Sequence, residues 1–490
     1  MNILFTSAEV DPFAKVGGLA DVVGSLPKAL RASGIDARVL MPDYGFLDKN
    51  RWGARYLLSF ELARRTGITT CEVYSADYEG VPVYFLRALP YFGAEAEVYL
   101  GWEADIQRFV FFSQACLAAC DALRTQQDWM PDIVHAHDWH TALVPFLISH
   151  ARRDNPAWET VGALYTIHNM AYQGDYVGGW MFELGIPGRE EHADLVRFGK
   201  TDNLMAIALA YSDVLTTVSP RYAVEIQYPY QGYGLDQLLR TRTLDLYGIL
   251  NGIDTDHWNP ATDTKITAHF DADTVATIRG ANKRQLQADV GLEIRDDVPL
   301  IGLVSRLVWQ KGVDLAIPAL REILTEQDVQ FVALGAGDPE ISAALAQLGE
   351  EFPGKAHIFI GFNATVAQRI YAGCDLFLMP SRYEPCGVGQ MLAMRYGALP
   401  LVRETGGLAD TVVNYDNDSA DEGTGFVFLE ESSSALTNTL RWAILTYRDN
   451  LSAWQRMQTR AMRIDFSWHK SAADYSALYE QVMLRRQKGL

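Results

Sequence analysis

The sequence predicts an α/β fold of two doubly wound domains with a cleft between them. Three observations predict it. Short β-rich apolar runs alternate with longer helical patterns, several of the runs are apolar without alternation, and the whole pattern starts again past the middle of the 490 residues. Strands covered by helices on both faces read as unbroken apolar runs, and strands spaced by helical stretches read as βα units of a parallel sheet.

The first strand is predicted at residues 2–6, in MNILFTSAEV. That stretch has no basic n-region and no small-residue cleavage site, so it does not read as a signal or transit peptide. Strands follow at 37–41, 83–86, 132–136, 162–167, 214–218 and 248–250. The polar stretch NGIDTDHWNPATDTK, with Gly252, Pro260 and several aspartates, then reads as a loop or hinge. After a helical stretch around 284–289 the second series begins, with strands at 300–304, 330–334, 356–360, 375–379 and 399–402. Residues 414–425 are the most loop-like and are expected to be exposed. Residues 472–488 read as a helix with a basic end, of the kind that lies on a surface.

Composition narrows the function. Lys plus Arg is 42 and Asp plus Glu is 61, a net charge of −19. That balance argues against a binder of nucleic acid or anionic membrane, whose affinity rests on basic surface. Cys71, Cys116, Cys120, Cys374 and Cys386 are scattered without a C-x-x-C, which fits a reducing compartment. No run of about 18 apolar residues predicts a membrane span. Cytoplasm is therefore the expected location, or a plastid stroma had a transit peptide been removed.

Five segments carry candidate chemistry. Lys15, Val16, Gly17 and Gly18 stand between the first strand and a helix expected to start near Ala20. Glycines let a ligand approach the backbone, helix-opening amides bind anions, and Lys15 adds a charge. VGGLADVV at 16–23 is echoed by TGGLADTV at 405–412. The echo reads either as ordinary glycine turns or as two equivalent sugar- or phosphate-facing turns, with Gly406 and Gly407 the counterparts of Gly17 and Gly18. HAHDWH at 135–140 ends a strand. It offers hydrogen bonds to a polyhydroxylated ligand and, in Trp139, an apolar platform. No further cluster has metal-ligand spacing, so no metal is expected. His168, in TIHN, also ends a strand. In SRLVWQKG, Arg306 and Lys311 form a cation pair suited to a departing diphosphate. In SRYEPCGVGQ, Glu384 stands at a strand end, Gly387 and Gly389 permit a phosphate nest, and Cys386 lacks the histidine partner of a nucleophile. Neither G-x-G-x-x-G nor the P-loop signature occurs there, which weakens dehydrogenase and ATPase readings.

Together these segments resemble the bacterial glycogen synthase and plant starch synthase family, along nearly the whole chain. The resemblance is carried by KVGGLADV, MPDYG, HAHDWH, TIHNMAYQG, LNGIDTDHWNPATD, SRLVWQKG, SRYEPCG and TGGLADTV, in that order. It implies two Rossmann-like domains of the GT-B type, at 1–253 and 254–470, with 471–490 returning to the first. It also implies a retaining transfer of glucose from ADP-glucose to the non-reducing end of an α-1,4-glucan, without cofactor or metal. By the same resemblance Lys15, Arg306 and Lys311 contact the donor diphosphate, as does the backbone of Cys386, Gly387, Val388 and Gly389. Asp21, His168, Asn251 and Glu384 line the glucose and donor pocket. Phe362 falls where the family stacks an aromatic on adenine, and Tyr99 and Asp138 fall where acceptor contacts are expected. The chain departs from the family at Gly389, where Thr is usual, at Ala206, where many relatives have Lys, and at Leu392, where the wider superfamily holds ribose with a carboxylate. Two other readings stay open: a weakly active glucan-binding or priming paralogue, and a retaining transferase preferring UDP-glucose. A homo-oligomer is compatible with either.

Overall fold

A computed structural model describes residues 1–186, 192–417 and 421–488. The chain forms two compact units, Met1–Gly252 with Trp468–Leu490, and Ile253–Ser467. The sequence reading sets these limits at 253/254 and 470/471.

The first unit is built on nine strands: β1 (Asn2–Thr6), β2 (Asp36–Pro42), β3 (Arg55–Arg64), β4 (Gly67–Tyr78), β5 (Val81–Arg87), β6 (Ile133–His137), β7 (Gly162–Ile167), β8 (Val214–Thr217) and β9 (Leu246–Gly248). They lie in the order β3-β4-β5-β2-β1-β6-β7-β8-β9. Among the described residues, only the β3/β4 and β4/β5 strand pairs of this sheet are antiparallel. Chain order reverses between β1 and β6, and ligands of such sheets bind beyond the carboxyl ends of the strands at that point. The hairpin strands β3 and β4 are absent from the sequence prediction. They alternate between covered and open positions, so a search for unbroken apolar runs passes over them. The strand expected at 248–250 lies instead at Leu246–Gly248, and a β-carbon on Gly248 would sit 2.3 Å from the carbonyl oxygen of Ser219.

The helix Gly18–Ala32 starts two residues before the expected Ala20. The terminal helix Trp468–Gln487 is not a mere surface helix. It buries Trp468, Ala472, Tyr475, Tyr479 and Val482, a stripe at three- and four-residue spacing, against Gly18–Ala32, β6 and β7. The Tyr479 hydroxyl pairs with His135 Nδ1 at 2.8 Å, so the last helix is tied to the middle of the sheet.

The second unit holds six parallel strands: β10 (Leu300–Leu307), β11 (Gln330–Gly337), β12 (Ala356–Ile360), β13 (Leu376–Met379), β14 (Leu399–Arg403) and β15 (Phe426–Phe428). Their order is β12-β11-β10-β13-β14-β15, a doubly wound sheet that reverses between β10 and β13. The three-residue β15 is too short to have been read from the sequence. The stretch 251–265 is less a free hinge than a packed edge. Ile253 N–H donates to Phe466 O at 2.8 Å, and the buried Asp263 accepts from the Tyr396 hydroxyl at 2.6 Å. Of the loop expected at 414–425, residues 418–420 lie outside the described ones. Its ends are pinned and not simply exposed, because Asn414 bridges Gly425 and Tyr415 is buried against Trp442. All five cysteines are buried free thiols, and no described helix is long and apolar enough to cross a membrane.

Candidate functional site

In the second unit the reversal between β10 and β13 gathers the two motifs that the sequence leaves far apart. Arg306 lies at the carboxyl end of β10 and is exposed, with no side-chain partner among the described residues. One turn later Lys311 donates to Glu384 Oε2 at 2.5 Å, and Ser381 Oγ donates to the same oxygen at 3.1 Å. Glu384 is buried and comes from the loop after β13. Two cations and one carboxylate thus leave one net positive charge, carried by the unpaired guanidinium.

The two loops are locked together by Arg382, which the sequence reading did not single out. Its guanidinium grips Asp314 through two bonds of 2.7 Å, donates to Trp309 O at 2.7 Å, and lies 4.6 Å from the Trp309 ring centre. This fork-to-carboxylate pairing holds the Asp314 carboxyl below its usual range. Gln390 Nε2, fully buried, binds the carbonyls of Cys386 and Gly387 and so fixes the glycine loop. Gly387 needs its φ of +72° there.

Gly406 and Gly407 are buried, and Gly407 N–H donates to Glu384 O at 3.1 Å. That amide is spent on the protein, and the second glycine turn seats the Glu384 loop. A β-carbon on Gly407 would lie 1.9 Å from Cys386 O. Gly407→Ala is expected to destabilise the second unit by on the order of 3 kcal/mol, the upper end for overpacking. A wild-type midpoint in denaturant would show the contact to be unimportant.

The remaining predicted positions of this unit are as follows. Phe362, just past β12, is 90% exposed. Val388 is exposed at the start of the helix Gly389–Arg395, and Cys386 is buried behind it. A β-carbon at Gly389 would meet Phe377 at 3.2 Å and Met379 Sδ at 3.3 Å, so Thr there would require those neighbours to yield. Leu392 is buried in that helix and brings no carboxylate.

In the first unit the organising residue is one the sequence reading missed. Glu9, buried just past β1, accepts from the amides of Val16 and Gly17 at 2.7 Å each and from the Tyr99 hydroxyl at 2.5 Å. The Gly17 amide expected to bind an anion is therefore occupied by a protein carboxylate. Gly17 and Gly18 are exposed with open space above them, and Lys15 bonds Asp21 at 2.5 Å. An acidic residue in the apolar run TSAEV was the available signal.

Past β6, Asp138 Oδ1 accepts from the His168 amide at 2.7 Å, joining the ends of β6 and β7. Burial pushes the Asp138 carboxyl up to about 7. Burial also lowers His168 to about 3, so its imidazole is neutral, and its Nε2 pairs with His137 Nδ1 at 2.9 Å. His135 and His137 are interior residues and offer no face to a ligand. Trp139, expected as a sugar platform, is 6% exposed and packs edge-on against Phe109. Asn251 carries a buried Oδ1 with no hydrogen-bond partner among the described residues, and Ala206 is fully buried. No described group of three or more His, Cys, Asp or Glu is placed to hold a metal.

Comparison with known proteins agrees with this layout. Residues 2–241 match the starch synthase catalytic domain family and residues 286–458 match glycosyl transferases group 1. The glycogen synthase of Bacillus cereus (strain Q1) is 42% identical over 487 residues, covering 99% of this chain and all of that protein. That of Geobacillus thermodenitrificans is 42% identical over 493 residues, covering 100% and 99%. The catalytic domain of starch synthase IV from Arabidopsis thaliana, bound to ADP and acarbose, superposes with a TM-score of 0.87 at 33% identity, covering 99% of both chains. A sucrose-phosphate synthase from Thermosynechococcus elongatus shares the fold alone, with a TM-score of 0.62 at 18% identity. With such identity sustained from end to end, the chain belongs to the glycogen and starch synthase family of glycosyltransferases.

Proposed function

We propose that the protein is an ADP-glucose-dependent glucan synthase, adding glucose with retention to the non-reducing end of an α-1,4-glucan. The observation that carries the reading is the cation pair at the β10/β13 reversal, with Arg306 unpaired and Lys311 held by Glu384. The Arabidopsis relative binds ADP and acarbose. Carried to this chain, its ADP belongs beside these cations, with the adenine on the open face of Phe362.

In this reading the C1–O bond of the donor breaks and its electron pair goes to the diphosphate oxygen. Arg306 and Lys311 stabilise the charge that develops, without donating a proton of their own. The acceptor's 4-hydroxyl attacks C1 from the same face, and its proton passes to a diphosphate oxygen. Lys15 adds a further positive charge. His168, being neutral, hydrogen-bonds the sugar instead of pairing with charge. The charge work falls to side chains, so the reading calls for no cofactor or metal. The buried free thiols suit a reducing compartment such as the cytoplasm.

The test is release of ADP from ADP-glucose with maltooligosaccharide as acceptor, run beside UDP-glucose. Faster transfer from UDP-glucose would favour the alternative donor, which the missing carboxylate at Leu392 makes worth measuring. No release from either would favour a binding or priming paralogue.

A further inference from the structure

We propose that the first unit carries a surface that holds the body of an α-glucan, built from Tyr176, Tyr228, Tyr230 and Tyr233. Only the identity of the polymer rests on the synthase reading. The four side chains are 78%, 53%, 63% and 42% exposed. Tyr228 and Tyr230 flank Pro229, with ring centres 6.2 Å apart and planes 28° from parallel. A tyrosine ring offers an apolar face to the C–H face of a pyranose and a hydroxyl to its neighbours, at little cost in side-chain entropy.

Two of these residues have an unusual backbone conformation. Among the described residues seven non-glycine residues have positive φ, and four of them are Asp or Asn, which tolerate that region. Tyr176 (φ 64°) and Tyr233 (φ 47°) are the aromatic ones. Tyrosine is unfavourable there, so strain of this kind points to a functional requirement.

One buried amide network lies beside both. Gln173 Nε2 donates to Tyr233 O at 3.0 Å, and Asn203 Nδ2 donates to Gln173 Oε1 at 2.8 Å and to Asp175 Oδ1 at 2.7 Å. Next along the chain, Tyr176 N–H donates to Asp202 O at 2.9 Å. The segment that ends on Tyr176 begins at His168, in the same unit. A polymer elongated at its tip needs such a hold on the units behind the tip.

The double substitution Tyr176→Asn with Tyr233→Asn removes both rings while suiting their backbone. Its melting temperature is expected to equal or exceed that of the parent. Retardation in native gels containing glycogen should weaken about tenfold, with KM for glycogen rising to match. Both kcat and KM for maltotriose should stay unchanged. Tyr230→Ala, in an ordinary backbone conformation, should shift glycogen retention the same way, which guards against a fold effect in the double variant. Unaltered retention in both variants overturns the proposal. So does a change in sedimentation without a change in retention, which would make the face a contact between copies. A parent protein that is retarded by glycogen yet releases no ADP sinks the synthase reading while the surface stands.

Discussion

Arg306→Ala lowers kcat by about two to three orders of magnitude and leaves the melting temperature where it was. The two effects separate because of where the residue stands. Its guanidinium is exposed and bonded to no described side chain, so its removal strands nothing. Its charge is needed only when the diphosphate departs, an interaction stronger in the transition state than before it. Lys311→Ala should behave differently. Its ammonium is the partner of the buried Glu384 carboxylate, and removing one member of such a pair costs about 3–5 kcal/mol. Turnover and stability should therefore fall together at Lys311 and only turnover at Arg306. Arg306→Lys should recover part of the rate, as a point charge in place of a fork. Steady-state kinetics at saturating acceptor, beside thermal melts, check this. An Arg306→Ala enzyme within threefold of the parent would remove the guanidinium from the mechanism.

Acid should undo the first unit before the second. His140 and His168 are lowered by burial to about 3, and His135 and His137 are lowered well below 6.5. The unfolded chain takes up protons near 6.5 that the folded histidines refuse, so their stability is present above that pH and is lost as it falls. Each such group contributes about 1.4 kcal/mol per pH unit. Asp138 acts oppositely. Raised to about 7 from 3.8, it favours the folded state below 3.8 and loses that contribution as pH rises through 7. The four histidines outnumber the one aspartate, so the net effect is a loss of first-unit stability as pH falls below 6.5. Hydrogen exchange of β6 and β7 at pH 7.5 and 5, with calorimetry, reads the effect. First-unit protection that holds steady across that range would contradict it.

The parallel strands were legible because a strand covered on both faces is written as a mainly apolar run, and β7 is buried from end to end with Thr166 its one clearly polar residue. The hairpin β3–β4 was not, since one open face breaks the run. SRLVWQKG and SRYEPCG were legible as chemistry, but their juxtaposition needed the strand order. Glu9 was hidden because two of its partners are backbone amides, which every residue has, and the third, Tyr99, lies ninety positions away. Trp139 misled because a letter string does not say which way a side chain turns, and Phe109 covers it from a helix some thirty positions earlier. The two glycine turns share letters, yet a β-carbon would have open space at Gly17 and Gly18 and would strike backbone at Gly406 and Gly407.

The first unit is discontinuous while the second is one unbroken stretch of chain. Everything the second unit needs therefore precedes the last helix of the first in chain order, and leaves the ribosome before it. Until Trp468–Gln487 emerges, the sheet of the first unit lacks the helix that covers β6 and β7, and His135 lacks the Tyr479 hydroxyl. The half translated first is then the half completed last, and a chain lacking only residues 468–490 would keep the whole of one unit and leave the other with an open apolar seam, the form for which a chaperone has most use.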